Sequence, residues 1–138
     1  MKKFCILLAL AAIFSGGPAL AQQSHIPKAQ LEEMFANIRT QTSWDINGKM
    51  LWGYYFTSSS QDELGKISVQ LVSEGYHFVE VRRLDSDIFQ TTPEWQLHVE
   101  RVELQTVDTL SARNTQFEDL ASHYKNVVYD GMDVGPAT

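Results

Sequence analysis

The sequence predicts an α+β domain in which a four-stranded antiparallel sheet carries two helices on one face, with an extra helix at its N-terminal end. Two observations favour this class. Apolar residues recur alternately with the 3.6-residue period of a helix and the two-residue period of a strand. Turn and capping residues separate these segments, which after the first helix run strand, helix, strand, strand, helix, strand.

The N-terminal segment has the pattern of a secretory signal peptide over residues 1–21. Two lysines precede an apolar run, and the small-x-small sequence that signal peptidases recognise stands at residues 19–21. The run is shorter than the roughly 20 apolar residues of a membrane-spanning helix, so an anchor is the weaker alternative. We therefore expect cleavage, export to the periplasm and no membrane attachment afterwards. Residues 22–26 then form a disordered lead-in, and residues 27–138 form a single domain.

Composition limits the kind of site and partner. The one cysteine, Cys5, lies in the leader, so neither disulfides nor cysteine-ligated zinc is expected in the domain. The formal net charge is −6 at pH 7, and loss of the leader lysines makes the chain more acidic. Acidity opposes nucleic-acid binding, which needs clustered Lys and Arg, and it favours a cationic protein partner. That the charge only keeps the protein soluble stays an alternative.

The first helix follows the lead-in. Apolar residues recur at i, i+3, i+4 and i+7 from Leu31 to Ile38, and Pro27 suits the first turn, where a helix leaves the N–H unbonded. The helix is expected to end near residues 40–42, before an Asn-Gly turn. The stretch "KMLWGYYFTS" then predicts a strand with both faces partly apolar. One face carries Trp52, Tyr54 and Phe56, and the other carries Leu51 and Tyr55.

The two later helices have recognisable ends. Ser60 and Glu63 have the spacing of a capping box, in which each residue bonds the backbone N–H of the other. Gly75 follows the apolar stripe of this helix and supplies its stop. Asp108 or Thr109 is expected to cap the last helix, whose apolar stripe contains Leu110, Phe117, Leu120, Ala121 and Tyr124.

The remaining strands show two-residue alternation. In the second strand Val79 and Val81 oppose Phe78, Glu80 and Arg82, and in the third Trp95, Leu97 and Val99 oppose Gln96, His98 and Glu100. Val102 and Leu104 continue in the opposite phase, which predicts a bulge near Glu100 and Arg101 or the end of the strand. The last strand, "NVVYDG", is expected to pair beside the first, with Asp130-Gly131 turning the chain off the sheet edge.

This element order is that of the ferredoxin-like split βαβ arrangement, with the first and third strands in the middle. The sheet face without helices is then predicted to mix rings, apolar groups and charges: Leu51, Tyr55, Phe78, Glu80, Arg82, Gln96, His98, Glu100 and Tyr129. Such a mixture is typical of a protein-binding surface. Coverage by the first helix, or by a second copy in a homodimer, stays an alternative.

Catalytic motifs are not evident. The four histidines, His25, His77, His98 and His123, lack metal-ligand spacing, and there is no serine elbow or Gly-rich phosphate loop. We therefore expect no enzyme activity, no metal and no cofactor. The alternative from another class is a small-ligand-binding protein or hydrolase with a groove beside His98 or His123.

Four motifs resemble one known family, the regulators of ribonuclease E activity of the B type. They are "QLEE" in the first helix, "YYFTSSSQDEL" from strand to capped helix, "EGY" after that helix, and "VVYDG" near the end. The resemblance touches nearly the whole chain after the leader. It implies a small acidic ferredoxin-like protein, without enzymatic activity, of a family whose named member binds and inhibits an RNA-degrading endonuclease.

The chain departs from that family at Met132, where an aromatic residue is usual, and in its leader. Ribonuclease E works in the cytoplasm, whereas the leader directs this chain out of it, so the resemblance carries over the fold and not the target. Our hypothesis is a periplasmic inhibitor or regulator that binds another protein, an enzyme or a toxic effector. An immunity protein that neutralises a secreted toxin is its most specific form.

Overall fold

The observed sheet has the predicted strand order. The computed structural model describes residues 26–84 and 92–137. The elements are α1 (Lys28–Gln41), β1 (Met50–Ser58), α2 (Gln61–Ser73), β2 (His77–Leu84), β3 (Glu94–Glu103), α3 (Val107–Ser122) and β4 (Val127–Gly135). The strands pair antiparallel in the order β2-β3-β1-β4, which confirms the ferredoxin-like split arrangement with the first and third strands in the middle.

The N-terminal end of this region differs slightly from the sequence prediction. Ile26, expected in a disordered lead-in, is buried in the core. Pro27 directly precedes α1 instead of occupying its first turn. The leader, its cleavage site and the rest of the lead-in lie outside the described residues. No helix within the described ranges is long and apolar enough to cross a bilayer.

The helix α1 packs on the same face of the sheet as α2 and α3. Phe35 of α1 stacks on Trp52 of β1 with ring centroids 6.0 Å apart. Lys28 and Asp108 form a 2.5 Å ion pair that links the starts of α1 and α3. Because Trp52 shares its face of β1 with the core residues under α3, all three helices cover one face. The alternative in which α1 covers the opposite face is therefore wrong.

Phe117 of α3 lies at the centre of an aromatic cluster. Its ring centroid is 5.0 Å from that of Tyr54, 5.4 Å from Phe56, 5.5 Å from Tyr76 and 5.6 Å from Tyr129. Edge-to-face and tilted pairs at these distances each contribute about 0.5–1.5 kcal/mol beyond their buried area. The cluster therefore fixes α3 against β1, against β4 and against the residue that precedes β2.

A charged cluster is built into the edge of this core. The Glu103 carboxylate accepts hydrogen bonds from Tyr54 Oη at 2.5 Å, from Gln105 Nε2 at 2.8 Å and from Arg113 Nη1 at 2.8 Å. The Arg113 guanidinium also lies over the rings of Tyr54, Phe117 and a third aromatic residue at 5.5–5.7 Å. Burial raises the pKa of Tyr54, and the hydrogen bond to Glu103 raises it further.

The helices α2 and α3 begin with side-chain caps. Ser60 Oγ accepts the N–H of Glu63 at 3.3 Å, so half of the predicted capping box forms. The Glu63 carboxylate instead accepts a hydrogen bond from the ammonium of a lysine one turn further along α2. In α3 the cap is Thr106, and not Asp108 or Thr109 as predicted, because Thr106 and Thr109 exchange side-chain bonds to each other's N–H at 2.7 and 3.1 Å.

Gly75 ends α2 as the sequence predicts. It has φ +97°, in the left-handed region that favours glycine. The N–H of Tyr76 donates to the carbonyl of Leu71 at 3.1 Å, and that of Gly75 donates to Val72 at 3.1 Å. These two bonds form a Schellman motif, which satisfies the last carbonyls of the helix.

A β-bulge changes the side-chain phase of β2. Phe78 pairs with Val99 of β3 and Glu80 pairs with His98, so Val79 is an extra residue without a partner position. Since directly opposed residues share a face, Phe78 and Glu80 point to opposite faces of the sheet although they are two residues apart.

A second bulge interrupts β4. Tyr129 pairs with Phe56 of β1 and Gly131 pairs with Tyr55, so Asp130 is the extra residue. Gly131 has φ +100°, which glycine adopts without strain. The strand continues past this point. The prediction that Asp130-Gly131 turns the chain off the sheet is therefore wrong.

The pairing of β3 with β1 contains no such irregularity. Its register is unbroken from Trp95 to Glu103. The bulge predicted near Glu100 and Arg101 does not form. Val102 instead lies on the face opposite the helices, with 48% of its surface exposed.

Candidate functional site

The sheet face opposite the three helices is the candidate site, and we call it the open face. Its members follow from the strand register, because residues opposed across strands share a face. The structure brings seven of the nine predicted site residues together here: Leu51, Tyr55, Glu80, Arg82, Gln96, His98 and Glu100. The strand alternation in the sequence therefore places the predicted residues of β1 and β3 on the correct face.

Phe78 and Tyr129 do not belong to the open face, which corrects their predicted placement. Phe78 pairs with Val99, which is fully buried under the helices, and the bulge in β2 places it out of phase with the open-face residues that follow. Tyr129 is 2% exposed and pairs with Phe56 in the core. Its hydroxyl donates to Asn114 Oδ1 at 2.7 Å.

The centre of the open face is an aromatic pair fixed by a carboxylate. The rings of Tyr55 and His98 stack with centroids 4.5 Å apart and an interplanar angle of 18°. Tyr55 Oη donates to Asp133 Oδ2 at 2.6 Å. A Cβ atom at Gly53 would clash with the Asp133 carboxylate and would lie 2.8 Å from His98 Nε2. Glycine at position 53 therefore allows the carboxylate and the imidazole to lie close over β1.

A hydrogen-bonded chain crosses the open face beside this pair. Arg82 Nε and Nη2 donate to Gln96 Oε1 at 3.2 and 3.1 Å, and Gln96 Nε2 donates to Asp130 Oδ2 at 3.0 Å. Partial burial raises the pKa of the Asp130 carboxyl, while the bond from Gln96 opposes that shift. The chain joins β2, β3 and β4, and it holds these long side chains in one arrangement.

The open face is acidic with apolar ends. Within the four strands its carboxylates are Glu80, Glu94, Glu100, Asp130 and Asp133, against one guanidinium, that of Arg82. Leu51 opposes Val102 near one end of the face, and Val128 is exposed near the other. Rings and apolar groups among charges are what protein interfaces contain.

The histidines of the alternative hypothesis lie in different places. His98 is on the open face, whereas His123 ends α3 on the helix side, with its Nδ1 2.7 Å from the carbonyl of Asp119. A groove of about 630 Å³ beside His123 is lined by Gln70 and Tyr124, which bond each other at 2.5 Å, and by acidic residues. Among the described residues, no three His, Cys, Asp or Glu side chains are placed to hold a metal ion.

Sequence reasoning missed Asp133, Asp130 and Gly53. A signal for the first two was present, because the apolar residues Tyr129 and Met132 are three apart within an otherwise alternating strand, which is the spacing that one inserted bulge residue gives. Gly53 gave no signal, since its neighbours on the open face come from two other strands.

Comparison with known proteins identifies the family. The family model described as regulator of ribonuclease activity B matches residues 28–134, which is most of the chain and contains β1, β2 and β3 entirely. A search of curated proteins finds no match. The family is described as one of regulators that act on the activity of a ribonuclease. The chain therefore belongs to the family of regulators of ribonuclease activity B.

Proposed function

We propose that this protein regulates a ribonuclease by binding it through the open face, without catalysing a reaction of its own. Membership of the family supports the class of target. One observation carries the choice of surface: α1, α2 and α3 all pack on the other face, which leaves the Tyr55–His98 ring pair on the open face. A partner would bury these rings at little cost in side-chain entropy, because they are already held in place.

A second copy of the chain is the competing occupant of this surface. Two open faces brought together would oppose carboxylates with carboxylates, and like charges across an interface disfavour association. We therefore expect a monomer by light scattering at high protein concentration. A dimer that Tyr55→Glu converts to monomers would favour the structural homodimer instead.

The regulatory function is tested by titration. The purified protein is added to each endoribonuclease of its source organism, and cleavage of a fluorogenic RNA is followed. We expect the rate of one enzyme to change at near-stoichiometric ratios, and Tyr55→Glu to weaken the effect. Val69→Glu introduces the same charge on the outer surface of α2, where Val69 is 72% exposed, and should leave the effect intact. If every ribonuclease keeps its rate, the function is wrong.

The compartment is a separate proposal, supported by the leader pattern of residues 1–21. The protein is exported to the periplasm, and its target is then a secreted enzyme or toxic effector, which makes it an immunity protein in the most specific form. N-terminal sequencing of protein recovered from the periplasmic fraction should begin at Gln22. Co-expression with the product of a neighbouring gene should restore growth if that product is the toxin. An uncleaved chain confined to the cytoplasm would contradict both the export to the periplasm and the immunity role.

A further inference from the structure

We infer that the open face docks a basic, arginine-bearing segment of the partner protein, with a guanidinium placed against the Tyr55–His98 ring pair. The inference rests on the proposed function, because it names the chemistry of the partner at the same surface. Three features of the face support it: its charge, the geometry of its ring pair, and a similar arrangement inside this protein.

Charge is the first feature. The open face carries five carboxylates and one guanidinium within its strands, and Arg82 is held by Gln96. The ion pairs formed between described residues use Glu63, Glu103 and Asp108, none of which belongs to the open face. Within the described ranges the carboxylates of this face therefore form no ion pair, and cations of a partner would be steered and oriented by the complementary charge.

The ring pair explains why arginine is preferred to lysine. His98 is opposite Tyr55 on one side and opposite Glu80 on the other, and Glu100 lies two residues along β3 on the same face. Asp133 borders the pair from β4 through its bond to Tyr55. A planar guanidinium stacks on an aromatic face and donates to carboxylates at its edges, whereas the compact ammonium of lysine makes one point contact.

The core of the same protein contains this combination. Arg113 lies over the rings of Tyr54, Tyr76 and Phe117, and donates to the Glu103 carboxylate at 2.8 Å. Rings bordered by carboxylates therefore already hold one guanidinium in this fold. On the open face, the stacked rings of Tyr55 and His98 are likewise bordered by carboxylates.

The test uses two labelled peptides and the full-length protein. One peptide alternates arginine with leucine, and the other has lysine at each arginine position; binding is followed by fluorescence anisotropy. We expect the arginine peptide to bind at least fivefold more tightly than the lysine peptide. Added salt should weaken the binding of both peptides. Equal affinities for the two peptides would overturn the preference for arginine.

Charge reversals locate the surface. Two charge reversals on the open face should each weaken the binding of the arginine peptide at least tenfold. They are Glu80→Lys, at an exposed position of the edge strand, and Glu100→Lys. Glu33→Lys makes the same change on the exposed surface of α1 and should alter affinity less than twofold. His98→Leu should reduce the arginine-to-lysine ratio toward one. The proposal would be overturned if Glu80→Lys and Glu100→Lys changed the affinity for the arginine peptide no more than Glu33→Lys does. It would also be overturned if His98→Leu left the arginine-to-lysine affinity ratio unchanged.

The outcomes separate this inference from the proposed function. A protein that binds the arginine peptide at the open face but alters no ribonuclease contradicts the function and supports the docking surface. A protein that regulates a ribonuclease equally well with Glu80→Lys and Glu100→Lys contradicts the docking surface alone. Dimers in light scattering, with the peptide excluded, would mean that a second copy occupies the face and would overturn the inference.

Discussion

The hydroxyl groups of Tyr54 and Tyr129 lie in the core, where each donates a hydrogen bond to a polar side chain. Burial raises the pKa of both phenols in the folded state above their unfolded value of about 10. Below pH 10 both states keep these protons, so the groups leave the free energy of unfolding unchanged. Above it, only the unfolded state releases them, so the free energy of unfolding falls as pH rises.

This linkage predicts alkaline destabilisation. Each buried phenol should lower the free energy of unfolding by about 1.4 kcal/mol per pH unit above about pH 10. Denaturant unfolding of the wild type and of Tyr129→Phe, compared between about pH 10.5 and 11.5, isolates one phenol because the lysines titrate in both proteins. Equal slopes in the two proteins would show that Tyr129 ionises without unfolding.

Arg113 and Glu103 depend on each other at the edge of the core. Removing the cation leaves a carboxylate that is 12% exposed beside a buried phenol. We expect Arg113→Ala to lower the free energy of unfolding by about 3 kcal/mol, measured by denaturant titration. Arg83→Ala, at an exposed arginine of β2, is the matched control and should change stability by less than about 0.5 kcal/mol.

A second variant separates the ion pair from the packing of the long arginine side chain. Glu103→Gln combined with Arg113→Met removes both charges and keeps most of the volume. It should recover much of the stability that Arg113→Ala loses, because the buried charge is then no longer unpaired. A double variant as unstable as Arg113→Ala would assign the effect to ring contacts of the guanidinium instead.

Among the elements, β4 contains a glycine whose backbone conformation other residues rarely adopt. Gly131 has φ +100° where the strand bulges, and a side chain there is strained. We expect Gly131→Ala to cost about 1–2 kcal/mol of stability. Gly135→Ala in the same strand is the control, because a Cβ there meets no atom within 4 Å. Equal unfolding midpoints for the two variants would mean that the bulge relaxes without strain.

The elements show where sequence patterns suffice. The stripe from Leu31 to Ile38 predicted α1, because a 14-residue amphipathic helix contains its own periodicity. The Gly75 stop was equally predictable, since a left-handed residue after a helix requires glycine. The cap of α3 was misplaced because Thr106 and Thr109 both suit that position, and only the fold decides between neighbouring hydroxyl residues.

At the scale of the whole molecule, Phe117 packs the helix layer against the sheet. It contacts four aromatic residues, of which three lie on β1 and β4 and one directly precedes β2. Phe117→Ala should therefore lower the free energy of unfolding by about 3–5 kcal/mol, as measured by denaturant or thermal unfolding. Val69→Ala, on the exposed side of α2, should cost less than about 0.5 kcal/mol. A loss below about 1 kcal/mol at Phe117 would mean that the cluster repacks around the cavity.

The candidate site was predictable where strands alternate regularly and unpredictable where they bulge. Tyr55 and His98 were placed correctly because β1 and β3 pair without a shift. Tyr129 and Phe78 were misplaced because each lies beside a bulge, and one extra residue reverses the face of everything beyond it. The sequence also did not predict which face of the sheet α1 covers, because the apolar stripe of this helix fits either face.

The bulge in β4 also has an evolutionary meaning. The extra residue sets the side-chain phase of the strand beyond it: if Asp130 were instead paired in regular register, Asp133 would point inward and Met132 would point outward. Relatives that lose the residue at this position would keep Met132 inward and Asp133 outward, because Gly131 would then follow Tyr129 directly, and only the Asp130 carboxylate would leave the outer surface. Partner preference in such lineages would then change through the charge of the outer surface, while the packing of the core stayed the same.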